Sequence, residues 1–469
     1  MSAVPRRGTG PGGRSIAGRE RTVLWVGFAT VAVLAIVVSY LQSIVTADAG
    51  RAAVVGSLLV VLSLPVLVAE SRRRDDPNVL WFLILAEFAK LAGAFVRYEI
   101  AFGVYGGRTD TIRYGDAAAS IASAFRAGHF GVAPGRLSGT GFIELLTGIS
   151  YWLAGPGLLT AYVVFSWLGF WGLYLFYRGI AIGVPESRLS RYAPLVFLLP
   201  SLAFWPSSVG KEAWVLLGLG AAASGAARLL AGRHGAAVWL ALGLVAIARV
   251  RPHVAAIVVI ALGVAWVLGR SPERHRELAP IVKVVVGAAL AVAAFALVAR
   301  TDAFLRGSGI RTDHGIFGIF EQTSERTGQG GSAYAPTIVS SPARLPIAVV
   351  TVLFRPFPFE GSSWQTVFAG LEGTVLLLAM IVRWRDVAAA VRLARRRPYV
   401  LFAIVYTGVF VFAFSSLANL GLLVRERVQV LPFLLVMLCV PAASRGRAHS
   451  PWPESRPTDR AATSVRAGR

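Results

Sequence analysis

The sequence predicts an all-α, polytopic integral membrane protein with about twelve transmembrane helices and amphipathic helices on its outer face. Three observations carry that reading. Hydrophobic residues make up 55% of the 469 positions and charged residues only 15%, whereas a soluble domain carries about 25% charged. Apolar stretches of about 18 or more residues recur along nearly the whole chain. The formal net charge is +23, supplied almost wholly by arginine, because lysine occurs only at Lys90, Lys211 and Lys283. Greasy and basic together exclude an ordinary soluble enzyme, and a nucleic-acid partner is excluded because a binder this basic would carry more charge. Cys439 is the single cysteine and lies in an apolar run. Disulfides and zinc sites are therefore excluded, and no metal or other cofactor is expected.

Taken in order, residues 1–21 form a basic cytoplasmic tail containing Arg6, Arg7, Arg14, Arg19 and Arg21. The apolar run 22–45 that follows is too long for a cleaved signal and reads as a retained span. Further spans are expected over 52–70, 79–104, 158–177, 193–206, 209–231, 236–250, 253–269, 281–300, 363–382, 399–417 and 427–443, by the criterion of about 20 apolar residues per crossing. Residues 22–443 thus form one transmembrane domain. Residues 444–469, rich in Arg, Ser and Pro, form a disordered cytoplasmic tail.

Orientation follows from arginine, which is retained on the cytoplasmic side in short loops. With both termini cytoplasmic, the inner segments are 1–21, 71–78, 178–192, 228–235, 270–280, 383–398 and 444–469. They hold 28 of the 47 basic residues and 9 of the 24 acidic ones, a balance of +19. Most of the net charge is topological, and it places the protein in the cell membrane as a multi-pass chain in contact with membrane lipids. Two outer segments remain, 105–157 and 301–362. Within the first, 112–130 is amphipathic at helical spacing and 142–153 is apolar but too short to span. Both suit surface or re-entrant helices. In the second, 346–357 looks similar, and the Gly, Ser and Thr content of 307–336 suggests a mobile lid.

Ionisable groups near membrane depth usually mark a substrate or ion path. Five parts of the chain bring such groups to the predicted outer face: Asp116 in the first outer segment; Lys211 after the Trp205-Pro206-Ser207-Ser208-Val209-Gly210 break; Arg249, Arg251 and His253 in one short turn; Arg425, Glu426 and Arg427; and Arg355 with Glu360. Guanidinium forks match phosphate oxygens and an ammonium adds a compact counter-charge. The group therefore suits an anionic lipid-linked substrate. Other readings stand beside this one. Arginines at span ends snorkel to headgroups, Lys211 can pair with Glu212, Arg355 with Glu360, and Asp116 can cap its helix. Glu87, Lys90 and Arg97 share one face of the third span, where Glu87 and Lys90 would neutralise each other as structural residues.

Gly115-Asp116-Ala117, the helix ending in Ala127-Gly128-His129-Phe130, Thr140-Gly141-Phe142, Gly155-Pro156-Gly157 before a span ending in Tyr177-Arg178, and Leu198-Leu199-Pro200-Ser201 before a break succeed one another. This order, over roughly residues 79–270, resembles the GT-C type glycosyltransferases, multi-span enzymes that use polyprenyl-phosphate sugars. Asn419-Leu420-Gly421 with Arg425-Glu426-Arg427 is similar to bacterial repeat-unit polysaccharide polymerases. The resemblance implies an inverting, metal-independent transfer of a sugar or glycan from a polyprenyl-phosphate or polyprenyl-diphosphate donor. The acceptor would be a glycan, lipid or protein on the extracytoplasmic face, in envelope or polysaccharide assembly. It gives Asp116 the role of base. Lys211, Arg249, Arg251, Arg425 and Arg427 would hold the phosphate, with His253, Arg355 and Glu360 as secondary candidates. The rival reading is a transporter or flippase of lipid-linked sugars.

Overall fold

The structure, a computed structural model, describes residues 47–107, 109–269, 279–307, 309–313, 315–329, 331–361 and 363–441. The expected tails over 1–21 and 444–469, the span over 22–45 and most of the 270–280 loop lie outside these residues. Helix α1 (Ala47–Arg74) and α2 (Pro77–Glu99) are joined by a tight turn. There the Asp76 carboxylate caps α2 by accepting from Asn78 N at 2.9 Å, with Pro77 at the first helical position. A π-helical turn, Ile100–Val104, extends α2. Then come α3 (Asp110–Arg126) and α4 (Gly139–Ala154), which pack on each other. One face of α3 is buried through Thr111, Tyr114, Ala118, Ile121, Ala122 and Phe125, the spacing of an amphipathic helix.

Helix α5 (Leu158–Gly183) is capped from another helix. The Asp48 carboxylate accepts from Leu159 N at 2.9 Å, Thr160 N at 3.2 Å and the Thr160 hydroxyl at 2.7 Å, which satisfies amides that the helix itself leaves unpaired. Next are α6 (Leu189–Leu198), α7 (Pro200–Phe204), α8 (Lys211–Leu230) and α9 (Ala236–Val250). A Cβ on Gly220 would lie 2.2 Å from Gly172 O, and one on Gly243 2.4 Å from Ala222 N. Small residues therefore set the spacing of α5, α8 and α9, as membrane helices without a hydrophobic drive between them require. The chain continues through α10 (Pro252–Leu268), α11 (Ala279–Gly307), α12 (Gly315–Thr327), α13 (Leu345–Phe354), α14 (Trp364–Val382), α15 (Trp384–Ala394) and α16 (Pro398–Phe414). It closes with three short helices, α17 (Leu420–Arg427), α18 (Leu431–Leu434) and α19 (Val436–Cys439).

Among the described residues there is no strand, only an isolated bridge between Ala333 and Asn419. Six helical stretches there are long and apolar enough to cross a membrane: α1, α2 with its π turn, α5, α8, most of α11, and α14. Helices α15 and α16, bent by 112° at their junction, make a seventh if taken as one crossing. The remaining expected spans are shorter or broken. Prolines 200 and 206 interrupt 193–206, and Pro432 interrupts 427–443. Helices α9 and α10 have 15 and 17 residues, and α10 is buried along most of its length. A helix enclosed by protein need not reach both lipid-water boundaries. The segment 307–336 holds α12 and a strap in place of a continuous loop. Ser332 Oγ donates to Asn419 Oδ1 at 2.9 Å, Leu420 N to Ser332 O at 2.9 Å and Tyr334 N to Ala418 O at 3.0 Å.

The bundle has two chemically different ends. At one, Arg178 pairs with Glu70, Arg397 with Glu186, Arg191 with Asp386 at 2.9 Å, and Arg188 N donates to Cys439 O at 2.8 Å. These contacts gather three of the segments that the arginine count assigns to one side: 71–78, 178–192 and 383–398. The opposite end holds Asp48, the break before α8, the α9–α10 turn and α17.

Candidate functional site

The site starts from the break. After α7 the chain is non-helical from Trp205 to Gly210, and the carbonyls of α7 lose their in-helix partners. Lys90, buried in α2, supplies them: Nζ donates to Leu202 O at 2.7 Å and Ala203 O at 3.1 Å. Ser207 Oγ donates to Ala203 O at 2.5 Å, and Ser166 Oγ to Lys90 O at 2.5 Å. Lys90 therefore does not neutralise Glu87, as its spacing suggests. Glu87 accepts from Ser63 Oγ at 2.6 Å, and that hydroxyl in turn accepts from Trp167 Nε1 at 2.9 Å.

Beyond the break, Glu212 at the start of α8 organises a buried ionic cluster. Arg425 Nε lies 2.8 Å from Glu212 Oε1 and Nη2 3.0 Å from Oε2, while Arg251 Nη2 lies 3.1 Å from Oε1. Arg251 also pairs with Glu426, which accepts from Gln429 Nε2. Two guanidiniums thus face two carboxylates, and the cluster closes at zero net charge. The Glu212 charge holds the Arg425 guanidinium still more firmly protonated than usual. Lys211 does not take its neighbour's carboxylate and forms no ion pair among the described residues.

Against this cluster lies a polar pocket of about 200 Å³, whose lining includes Arg97, Tyr105, Thr109, Asp110, Tyr114, Tyr162, Ser208, Gln365 and Arg425. Arg97 sits over the rings of Phe204 and Trp205, 4.6 Å from each centroid, and makes no ion pair among the described residues. Unlike Arg251 and Arg425, it has no carboxylate within ion-pair distance among the described residues, so its charge is available to a ligand. Tyr162 OH donates to Thr111 Oγ1 at 3.2 Å. Burial, with the Asp110 charge behind it, pushes the Tyr114 hydroxyl above its ordinary range and keeps it a donor.

Ile100, Trp205 and Gln365 are shared between this pocket and an apolar groove of about 590 Å³. The groove runs between α2, α6–α7 and α14, past Val96, Leu199, Phe204, Phe368, Leu371 and Val375. A second polar cavity of about 490 Å³ shares Tyr105, Trp205 and Gln365 with the first.

Of the residues nominated from sequence, Arg251 and Arg425 meet, with Lys211 beside them, and Arg425 alone lines the polar pocket. Asp116 is exposed on α3 and lines none of the three cavities. Arg249 reaches away, donating to Leu137 O at 3.4 Å. Arg427 is fully buried and donates to Leu353 O at 3.1 Å and Arg355 O at 3.2 Å, so it braces the end of α13. His253 lies between the rings of Phe304 and Phe414. Arg355 and Glu360 close on each other, with Arg355 Nε 3.0 Å from Oε1. Burial acts to raise the Glu360 carboxyl, but the hydrogen bonds from Arg355 and Phe357 N outweigh it and hold the group below its ordinary range.

Sequence reasoning passed over Arg97, Asp110 and Gln365. Arg97 was signalled by being an arginine within an apolar span, and Asp110 by opening the same amphipathic helix as Asp116. Gln365 carries no sequence signal. No group of His, Cys, Asp and Glu able to hold a metal ion occurs among the described residues. Comparison of the chain with protein-family models, curated proteins and solved structures finds no match.

Proposed function

We propose that the chain is a glycosyltransferase that moves a sugar or glycan from a polyprenyl-phosphate or polyprenyl-diphosphate carrier to an acceptor on the extracytoplasmic face of the cell membrane. The observation that carries the reading is Arg97, a guanidinium without an ion pair among the described residues, in a polar pocket that shares its wall at Ile100, Trp205 and Gln365 with an apolar groove. An anionic head on a long apolar tail is the ligand that such a juxtaposition fits. The arginine-rich end of the bundle lies opposite, and retention of arginine on the cytoplasmic side supports an extracytoplasmic site. Helices α3 and α4 would then lie at the outer surface.

In this reading the base is Asp110, the carboxylate that lines the phosphate pocket, in place of Asp116. An acceptor hydroxyl attacks the anomeric carbon and gives its proton to Asp110. The bond from that carbon to the phosphate oxygen breaks, and the phosphate leaves with the electron pair, its charge met by Arg97 and Arg425. One displacement inverts the anomeric centre.

The test is incubation of the purified protein in nanodiscs with radiolabelled polyprenyl-phosphate and polyprenyl-diphosphate sugars and a crude glycan acceptor. The expected result is labelled product together with free polyprenyl phosphate or diphosphate. In proteoliposomes, movement of intact donor across the bilayer without bond cleavage would overturn transfer in favour of a flippase.

A further inference from the structure

We infer that the second polar cavity binds an uncharged carbohydrate, the acceptor of the transfer proposed above, on which this assignment rests. The cavity, about 490 Å³, falls in the usual range for small-ligand sites, roughly 300 to 1,000 Å³. Its walls carry the hydroxyls of Ser332, Ser363 and Thr366, the Gln365 amide, and the rings of Tyr105 and Trp205. No charged side chain lines it among the described residues. A charged ligand would lose its water there and gain no counter-ion. An array of ligand hydroxyls would exchange water for hydroxyl and amide partners, with its apolar ring faces on Tyr105 and Trp205.

Gln365 points to a ligand independently. Its Nε2 is buried and has no hydrogen-bond partner, although the residue borders all three cavities. A buried donor left unmet is costly, and a turn of the side chain into the cavity would let a ligand oxygen satisfy it. The cavity wall is also fixed in place. Ser332 is tied to Asn419 at 2.9 Å, and the Ser363 and Thr366 hydroxyls lie 3.1 Å apart. Because Tyr105, Trp205 and Gln365 border the phosphate pocket as well, a sugar held here presents a hydroxyl toward the donor head.

The experiment is saturation-transfer NMR on the full chain in nanodiscs. The probes are uncharged gluco-, galacto-, manno- and arabino-disaccharides and trisaccharides, together with uronate-bearing and glucosamine-bearing counterparts. Retention of polyprenyl phosphate, read by native mass spectrometry, runs in parallel. Uncharged saccharides should take up saturation, and the charged ones should bind about tenfold more weakly or worse. Gln365→Ala should weaken binding by about tenfold. Gly331→Trp should abolish it, since a Cβ on Gly331 meets no atom within 4 Å and the ring would occupy the cavity. Gly331 lines neither the phosphate pocket nor the groove, so this variant should keep the carrier.

Charged saccharides binding as well as uncharged ones, undiminished binding in Gly331→Trp, or no uptake by any uncharged probe would each overturn the assignment. Saccharide binding without carrier retention in the wild-type chain would instead defeat the transfer reading and leave the saccharide site standing.

Discussion

Glu212 and Arg425, 213 positions apart in sequence, meet in a two-pronged ion pair with Nε 2.8 Å from Oε1 and Nη2 3.0 Å from Oε2. The same carboxylate takes Arg251, so its removal leaves Arg425 without a carboxylate and Arg251 with Glu426 alone. Breaking one partner of a buried pair costs about 3–5 kcal/mol because the remaining charge stays desolvated. Glu212→Gln should therefore lose about that much stability in denaturant unfolding in detergent. Arg425→Ala should cost less in a Glu212→Gln background than alone. Additive losses in the two backgrounds would mean that the pair carries no coupling.

Arg97 has the opposite energetic position. It is held by two aromatic faces and by no carboxylate, so its loss removes no ion pair. Arg97→Leu should change unfolding stability by no more than about 1 kcal/mol. It should weaken binding of polyprenyl phosphate by about tenfold to a hundredfold, the worth of a charge-assisted contact of about 1.5–3 kcal/mol. Arg97→Lys should recover part of the affinity, since an ammonium supplies the charge but not the fork. Native affinity in Arg97→Leu would remove the phosphate assignment.

The two carboxylates of α3 give opposed outcomes. Both are exposed, but Asp110 borders the polar pocket and Asp116 lines none of the three cavities described above. Losing a general base costs about a hundredfold to ten-thousandfold in rate. Asp110→Asn should reduce turnover by that range with carrier binding retained, and Asp116→Asn should leave turnover within about threefold of wild type, since its side chain does not line the pocket. The reverse ranking would return the base to Asp116, where the family resemblance puts it.

How far this was legible in the sequence depends on distance along the chain. Helix α5 and the spans α1 and α2 were readable because each is a long apolar run whose limits are set by local signals such as Asp76-Pro77. Helix α10 was readable as an element but not as a buried one, since enclosure by α11 and α16 is a tertiary fact. The outer charges were legible as a group, but which of them are neutralised depends on pairs such as Glu212 with Arg425, which no spacing encodes. Arginines that looked equivalent therefore divide: Arg251, Arg355 and Arg425 close on carboxylates, Arg249 and Arg427 on backbone carbonyls. Arg97 was grouped with its helical neighbours Glu87 and Lys90, and only the rings of Phe204 and Trp205, folded over from beyond a proline, set it apart.

Arg355 and Glu360 predict an acid-sensitive element. The folded carboxyl of Glu360 titrates below its ordinary range, so the unfolded chain binds the proton more readily. The contribution is full above the unfolded value of about 4.3 and is lost as pH falls through the lower folded value. Thermal midpoints measured from about pH 7 down to about pH 3 should fall less steeply in Glu360→Gln than in wild type. Parallel acid limbs would show that the pair contributes nothing to folding.

Lys90 tests whether the break before α8 is a held feature. Its Nζ donates to the carbonyls of Leu202 and Ala203, and Trp205, Ser208 and Val209 in the following loop line the polar pocket. In Lys90→Met the Leu202 carbonyl loses this donor inside the bundle while Ala203 O keeps Ser207 Oγ, an expense of about 1–3 kcal/mol that local opening can relieve by admitting water. Amide hydrogen exchange should rise by about tenfold in peptides covering 203–210. It should stay unchanged in α5 beyond Gly172, which packs on Leu216 and Gly220 of α8, contacts that Lys90 does not make. Carrier affinity should fall with it, although Lys90 does not line the pocket, because Arg97 is stacked on the two rings that the break presents. Loss of protection throughout the bundle would make Lys90 a residue of the general core. Unchanged exchange at 203–210 would mean that Pro200 and Pro206 alone shape the break.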